Sequence, residues 1–307
     1  MTPPALRTVF RRSALAGIGA ASLGIALGSR AHASAQDTPR LPTEIVHDLA
    51  YGEDERYHLM DAVRPKDRST PVPAVVLLHG GSFVQGSRSD MFTFATFLAM
   101  AGYAAYSVEY RLFDRSTGAN AWPAALDDVQ RAVRWLRANA AEQGVDIDRI
   151  GAIGPSTGGH LAGFLGTRET RDNGNPALAE HPSKVACAVA MAGEMDFTIP
   201  LGPDDATLYA ALIGGTPGQP PPDDAYRDLS PMTFVDGSTA PFLIVHGAAN
   251  PWVSVEHSRH MVEALHMAGV EAIYAEFPDL AHLEVFNWSL VGSLVLAFLD
   301  RHLDVAR

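Results

Sequence analysis

Ser156 sits in Gly154-Pro155-Ser156-Thr157-Gly158, between an apolar run, Ile150–Ile153, and a small-residue apolar stretch, Gly159–Gly166. The first reads as a strand and the second as a helix. A sharp strand-to-helix turn holds a serine at strained backbone angles, tolerates only small neighbours, and aims the first helical N–H groups at the reacting centre. The chemistry such a serine performs is attack on a carbonyl carbon to form a covalent acyl intermediate. Its tetrahedral oxyanion needs donors already in place. His79-Gly80-Gly81-Ser82-Phe83 follows directly on the apolar run Val72–Leu78. The N–H groups of Gly81, Ser82 and Thr157 are the expected oxyanion hole, and His79 is expected to order the loop.

The serine needs a base. In a strand–helix fold of this kind the chain order is Ser, acid, His. His282 ends Phe277-Pro278-Asp279-Leu280-Ala281-His282, after the strand-like Glu271–Phe277 and before a helical pattern. Such a loop lies over the carboxyl edge of the sheet, so among 12 histidines this one is the expected base. The acid should follow Pro241–Val245, where the chain reads His246-Gly247-Ala248-Ala249-Asn250. Asn250 therefore occupies the acid position. An amide cannot hold an imidazolium by charge and can favour the wrong histidine tautomer; in a serine protease the same replacement costs about 10⁴ in turnover. Asp279 and Glu284 flank His282 as possible substitute acids. Glu256 opens a helix and is expected to cap or solvate it.

Positioning these groups calls for a scaffold. Val72–Leu78, Tyr103–Val108, Ile150–Ile153, Val185–Met191 and Pro241–Val245 read as strands buried on both faces. Helical patterns intervene, best over Pro123–Ala141, then Ser254–Met267 and Glu284–His302. The alternation implies an α/β fold with a doubly wound, mostly parallel sheet and helices on both faces. Glu44–Leu49 and Arg56–Val63 alternate polar and apolar, as an antiparallel edge hairpin would. Residues 197–231 carry Pro200, Pro203, Pro217 and Pro220–Pro222 and are too long for a simple connector; a small cap insertion over the pocket is expected there. Trp122 and Trp252 either line the acyl or aromatic pocket or, as the stronger expectation, pack in the core; His160 is expected to pack or bond backbone, and Asp196 either shapes the pocket or is solvated.

Together these motifs resemble the esterase/lipase branch of the α/β-hydrolases, close to the BD-FAE-like and hormone-sensitive-lipase-like groups. The carriers are HGGSF at 79–83, VEYRL at 108–112, WPAALDDVQRAVRWL at 122–136, DIDRIGAIGPSTGGHLA at 146–162, LIVHGAANPWV at 243–253 and AH at 281–282. The resemblance spans about 44–303 and implies a serine hydrolase acting on carboxylic esters of small acyl or aromatic acids. It departs from the family at Thr157, where Ala is usual, and at Asn250, where Asp is usual. The alternatives are a catalytically impaired hydrolase-fold binding protein, or an amidase or peptidase of the same fold.

The chain of 307 residues carries a net charge of −12, which argues against nucleic acid as a partner. No Cys/His cluster, HExxH or GxGxxG implies a metal or cofactor, and the single cysteine, Cys187, reads as a small buried hydrophobe. Arg7, Arg11 and Arg12 precede the uncharged run Ser13–Gly28 and the small-x-small site Ala31-His32-Ala33. Residues 1–33 are expected to be a secretory signal, of the twin-arginine type, with 34–43 a linker and the hydrolase domain at 44–303. The expectation is a periplasmic or secreted protein without a stable membrane anchor. Oligomeric state is not legible.

Overall fold

The computed structural model describes residues 41–170, 176–200, 203–216 and 219–304. The expected signal segment, and the linker up to residue 40, lie outside the described residues.

Eight strands form one sheet in the order β1-β2-β4-β3-β5-β6-β7-β8. They are β1 Thr43–Ala50, β2 Leu59–Pro65, β3 Val72–Leu78, β4 Ala104–Val108, β5 Val145–Pro155, β6 Cys187–Met191, β7 Phe242–Gly247 and β8 Ala272–Phe277. β1 pairs antiparallel with β2, and β2 antiparallel with β4. The remaining pairs are parallel. The edge hairpin and the buried strands therefore stand where their residue patterns put them.

The pleat of β3 shows how one strand serves two cores. Ala74, Val76 and Leu78 point into one apolar cluster, Val75 and Leu77 into the other. Helices α2 (Ala124–Ala138), α4 (Thr157–Thr167) and α7 (Glu256–Met267) cover the first face, contributing Val129, Phe164 and Met261. Helices α1 (Phe92–Met100) and α8 (Trp288–Leu303) cover the second, with Leu98 and Phe298. The single pattern over 123–141 is two helices. Asn139 interrupts it, and α3 (Ala140–Gln143) ends at Gly144 with φ 67°, a left-handed stop natural to glycine. α1 has no sequence expectation behind it, because Phe92-Thr-Phe-Ala-Thr-Phe-Leu-Ala-Met is apolar almost all round and shows no stripe.

The region expected to be a cap contains α5 (Pro203–Leu212) and α6 (Asp223–Asp228), followed by a 3₁₀ turn at Pro231–Phe234. Leu208, Tyr209 and Leu212 of α5 are buried in the first core. Asp196 is a correction: it is 2% exposed and thus not solvated. Its carboxylate bonds His260 Nδ1 at 2.8 Å and accepts from the Thr198 hydroxyl at 2.6 Å. Asp128 is buried as well, accepting from Arg111 Nε at 2.9 Å and Arg111 N at 2.9 Å and meeting His58 Nε2 at 3.0 Å. A buried carboxylate with this many donors is compensated, and it ties the Val108–Leu112 run to α2.

Candidate active site

The carboxyl ends of β3, β5, β7 and β8 gather the candidate residues at one edge of the sheet. Ser156 lies between β5 and α4 at φ 53°, ψ −127°, backbone angles that a side chain rarely adopts. Its N–H donates to Met191 O at 2.7 Å, pinning the turn to β6. The flanking glycines are sterically required. A Cβ on Gly158 would lie 2.0 Å from Leu78 O, and one on Gly154 would lie 2.1 Å from Gly158 C.

The loop after β3 is wound just as tightly. Gly81, Ser82 and Phe83 have φ of 124°, 52° and 63° in succession. Val84 N and Gln85 N both bond Gly81 O, at 3.0 and 3.1 Å. His79 Nδ1 donates to Gly80 O at 2.8 Å, and its ring stacks on Tyr110 at 4.1 Å. Tyr110 OH in turn donates to His79 O at 2.7 Å. The loop rests against the nucleophile: a Cβ on Gly80 would sit 3.3 Å from Ser156 Cβ. Two non-glycine residues in left-handed angles are costly, and the bracing by His79, Tyr110 and the Gly81 carbonyl holds them.

His282 is 5% exposed. Its ring lies between Trp252, at 5.2 Å, and Phe286, at 5.0 Å. Burial, reinforced by neighbouring His246, pushes its pKa down to about 4. Asn250 meets it directly, with Nδ2 at 2.7 Å from His282 Nδ1. Asn250 Oδ1 accepts from Trp252 N and from Val253 N, each at 3.0 Å. The substitute acids are a correction. Asp279 is exposed in the turn after β8. Glu284 accepts from Ala281 N at 2.6 Å, and Glu256 pairs with Arg259 at 2.6 Å. Local turn and helix geometry claims Glu284 and Glu256, and neither they nor Asp279 hydrogen-bonds His282.

Ser156 and His282 line one cavity of about 480 Å³. Gly80, Gly81 and Ser82 contribute to its wall, with Gln85 and Asp90 as the polar side chains beside them. Met91, Phe94, Trp252, Leu283 and Phe286 supply the apolar surface. Sequence reasoning left out Met91, Phe94, Leu283 and Phe286. The first two stand on and just before α1, the helix without a stripe, and the others only become wall residues once His282 is placed. Of the two readings for Trp252 the core-packing one is corrected: it is 60% exposed and lines this cavity. Trp122 does pack, edge-on to Phe83 at 6.2 Å. Thr157 is fully buried, not on the cavity wall, and opens the first turn of α4. His160 is caged by Phe83, Trp122, Phe164 and Phe197. Among the described residues no group of three or more His, Cys, Asp and Glu side chains is placed to hold a metal ion, and no helix is long and apolar enough to cross a membrane.

Residues 60–265 match the BD-FAE family. The chain belongs to the BD-FAE family. The matched stretch includes Ser156 and Asn250 and ends before His282. Among curated proteins, the chain is similar to the probable carboxylic ester hydrolase LipM of Mycobacterium tuberculosis, 30% identical over 80% of this chain and 57% of the relative. Esterase LipC of the same organism is 30% identical over 76% of this chain and 58% of that protein. The chain thus spans less than two thirds of the length of these relatives. Among solved structures, a truncated carbohydrate esterase from gut microbiota superposes with a TM-score of 0.72 at 25% identity, covering 88% of this chain and 99% of that one. The bifunctional GH43-CE protein of Bacteroides eggerthii gives 0.72 at 28% identity, over 84% and 35%. The BD-FAE member described here therefore has the α/β-hydrolase fold.

Proposed function

We propose that this BD-FAE protein is a serine carboxylic ester hydrolase acting on small neutral esters. The observation that carries the reading is Ser156, held at φ 53° at the head of α4, on the wall of the cavity that also contains His282. Ser156 Oγ attacks the ester carbonyl, and His282, in the tautomer whose Nε2 is bare, takes the hydroxyl proton on that nitrogen. The N–H groups of Gly81, Ser82 and Thr157 hold the oxyanion. Collapse of the intermediate expels the alcohol, protonated by His282, and leaves an acyl-Ser156 ester. Water, deprotonated by His282, then releases the acid and regenerates the serine.

The apolar wall of Met91, Phe94 and Phe286 supports small acyl or aromatic acids as the acid portion. Amides need a stronger proton donor for their leaving group, so Asn250 at the acid position supports esters over peptides. The same residue favours a second reading, a hydrolase fold retained for binding with impaired chemistry. Arg7, Arg11 and Arg12 followed by the uncharged run Ser13–Gly28 support export through a twin-arginine signal to the periplasm or the medium.

Turnover of p-nitrophenyl butyrate, beside Ser156→Ala, tests the main reading. Hydrolysis that Ser156→Ala abolishes is expected. If Ser156→Ala turns over as fast as the parent, Ser156 is not the nucleophile and the reading fails.

A further inference from the structure

We infer that Asn250 is a positioning residue that locks His282 in the Nε2–H tautomer, so that the resting site offers Ser156 a proton donor instead of a base. The inference deepens the ester-hydrolase reading and relies on it only for the catalytic consequence.

The two ends of the Asn250 amide are told apart by the groups they meet. The atom facing Trp252 N and Val253 N lies 3.0 Å from each. Backbone N–H groups only donate, so this atom must accept, and it is Oδ1. Reversing the amide would set an NH₂ group against two N–H donors and lose both bonds, leaving the half-buried Val253 N–H without its acceptor. The other end is therefore NH₂, and it stands 2.7 Å from His282 Nδ1. At that distance an N–H₂ needs an acceptor. A neutral imidazole has one protonated and one bare nitrogen. Nδ1 must be the bare one, which places the ring proton on Nε2, the nitrogen left for the cavity.

His246 agrees with this orientation. Its Nε2 lies 3.2 Å from Asn250 Nδ2, and an amide NH₂ only donates, so Nε2 accepts the second N–H and His246 carries its proton on Nδ1, donating to Ser258 Oγ at 2.7 Å. Asn250 Oδ1 thus takes the Trp252 and Val253 N–H groups while Nδ2 donates to both imidazoles. A carboxylate in the same seat would accept from a His282 Nδ1–H; the amide fits that shape and reverses the hydrogen bonding toward His282. Around His282, His246 is the titratable neighbour, and Trp252 and Phe286 cover the ring faces with uncharged groups.

The deciding measurement is ¹⁵N NMR of histidine-labelled full chain at pH 7.5, with the His282 signals assigned by their loss in His282→Gln. Expected is a protonated Nε2 and a bare Nδ1 in the parent, reversed in Asn250→Asp. A parent His282 with its proton on Nδ1 overturns the assignment, and that spectrum decides it whether or not Asn250→Asp folds. The kinetic consequence is a gain on the order of 10²- to 10⁴-fold in p-nitrophenyl butyrate turnover for Asn250→Asp. If the tautomers behave as expected but Asn250→Asp neither turns over ester nor takes up a fluorophosphonate at Ser156, the assignment stands and the ester-hydrolase reading falls.

Discussion

Asn250 Nδ2 lies 2.7 Å from His282 Nδ1, and an uncharged amide there leaves the imidazole with nothing to stabilise its protonated form. Burial and His246 accordingly hold His282 at about 4, below its ordinary value. A carboxylate at position 250 would favour the imidazolium and raise that pKa. In Asn250→Asp the His282 ring is expected to titrate near or above the ordinary imidazole value of about 6.5. The sign is fixed: the base must be neutral to act, so the acid limb of kcat/KM should move to higher pH in the variant. Proton NMR titration of the His282 ring and the pH–rate profile check it together. An acid limb that stays put would mean that position 250 does not govern the base.

Gly158 and Ser156 define a second expectation. A methyl group on Gly158 would lie 2.0 Å from the Leu78 carbonyl, which is backbone of a central strand and cannot give way. Gly158→Ala should therefore cost at least about 3 kcal/mol, the upper range for overpacking. Ser156 has the opposite problem, since its own φ of 53° strains it. Ser156→Gly is expected to be more stable than Ser156→Ala by about 1 kcal/mol, although both lack the nucleophile. Urea unfolding of the three variants gives the order. Equal midpoints for the Gly and Ala variants at 156 would show that the turn stores no strain.

The order of motifs made much of this site legible. Strand, glycine-rich loop, strand, serine turn, strand and histidine loop each carry a local signature. Small residues at 154 and 158 and the HGG run report backbone approach, which leaves its mark in sequence. Contacts between distant loops leave none. Asp279 and Glu284 are near His282 along the chain, yet turn geometry sends one into solvent and the other to Ala281 N. Trp252 looks like a core residue by type, but its loop carries it to the cavity mouth. Phe94 was illegible for another reason: α1 is apolar all round, so no stripe marked the helix or the face it turns to the site.

Four buried histidines should make the fold acid-sensitive. Burial holds His246, His257 and His282 at about 4 and His160 at about 3. Unfolded, each protonates near 6.5. As pH falls below that value, the unfolded chain binds protons that the folded chain refuses. Stability is complete above about 6.5 and declines as pH drops toward 4, by up to about 1.4 kcal/mol per pH unit for each residue. Neither ring nitrogen of His160 has a hydrogen-bond partner among the described residues, so His160→Leu removes a titrating group without breaking a hydrogen bond seen there. It is expected to flatten the slope by one residue's share. Urea midpoints between pH 7 and 4.5 measure it, and an unchanged slope in His160→Leu would mean that His160 titrates alike in both states.

Trp252 and Leu283 offer a test of the cavity mouth. They are 60% and 63% exposed, and both line the wall beside Ser156 and His282. Large apolar side chains left open at a reacting centre lose water-exposed surface only when substrate arrives. Removing the Trp252 indole therefore costs the folded chain little, within about 0.5 kcal/mol for an exposed position. Its cost falls on binding. An aromatic contact contributes on the order of 1 kcal/mol beyond area burial. Trp252→Ala should then raise KM for a naphthyl butyrate by roughly fivefold and leave p-nitrophenyl acetate, too small to reach the mouth, nearly unchanged. The indole also meets the His282 ring edge-on at 5.2 Å. A loss in kcat for both esters, without a KM difference between them, would mean that Trp252 serves to hold His282 and not to bind the substrate.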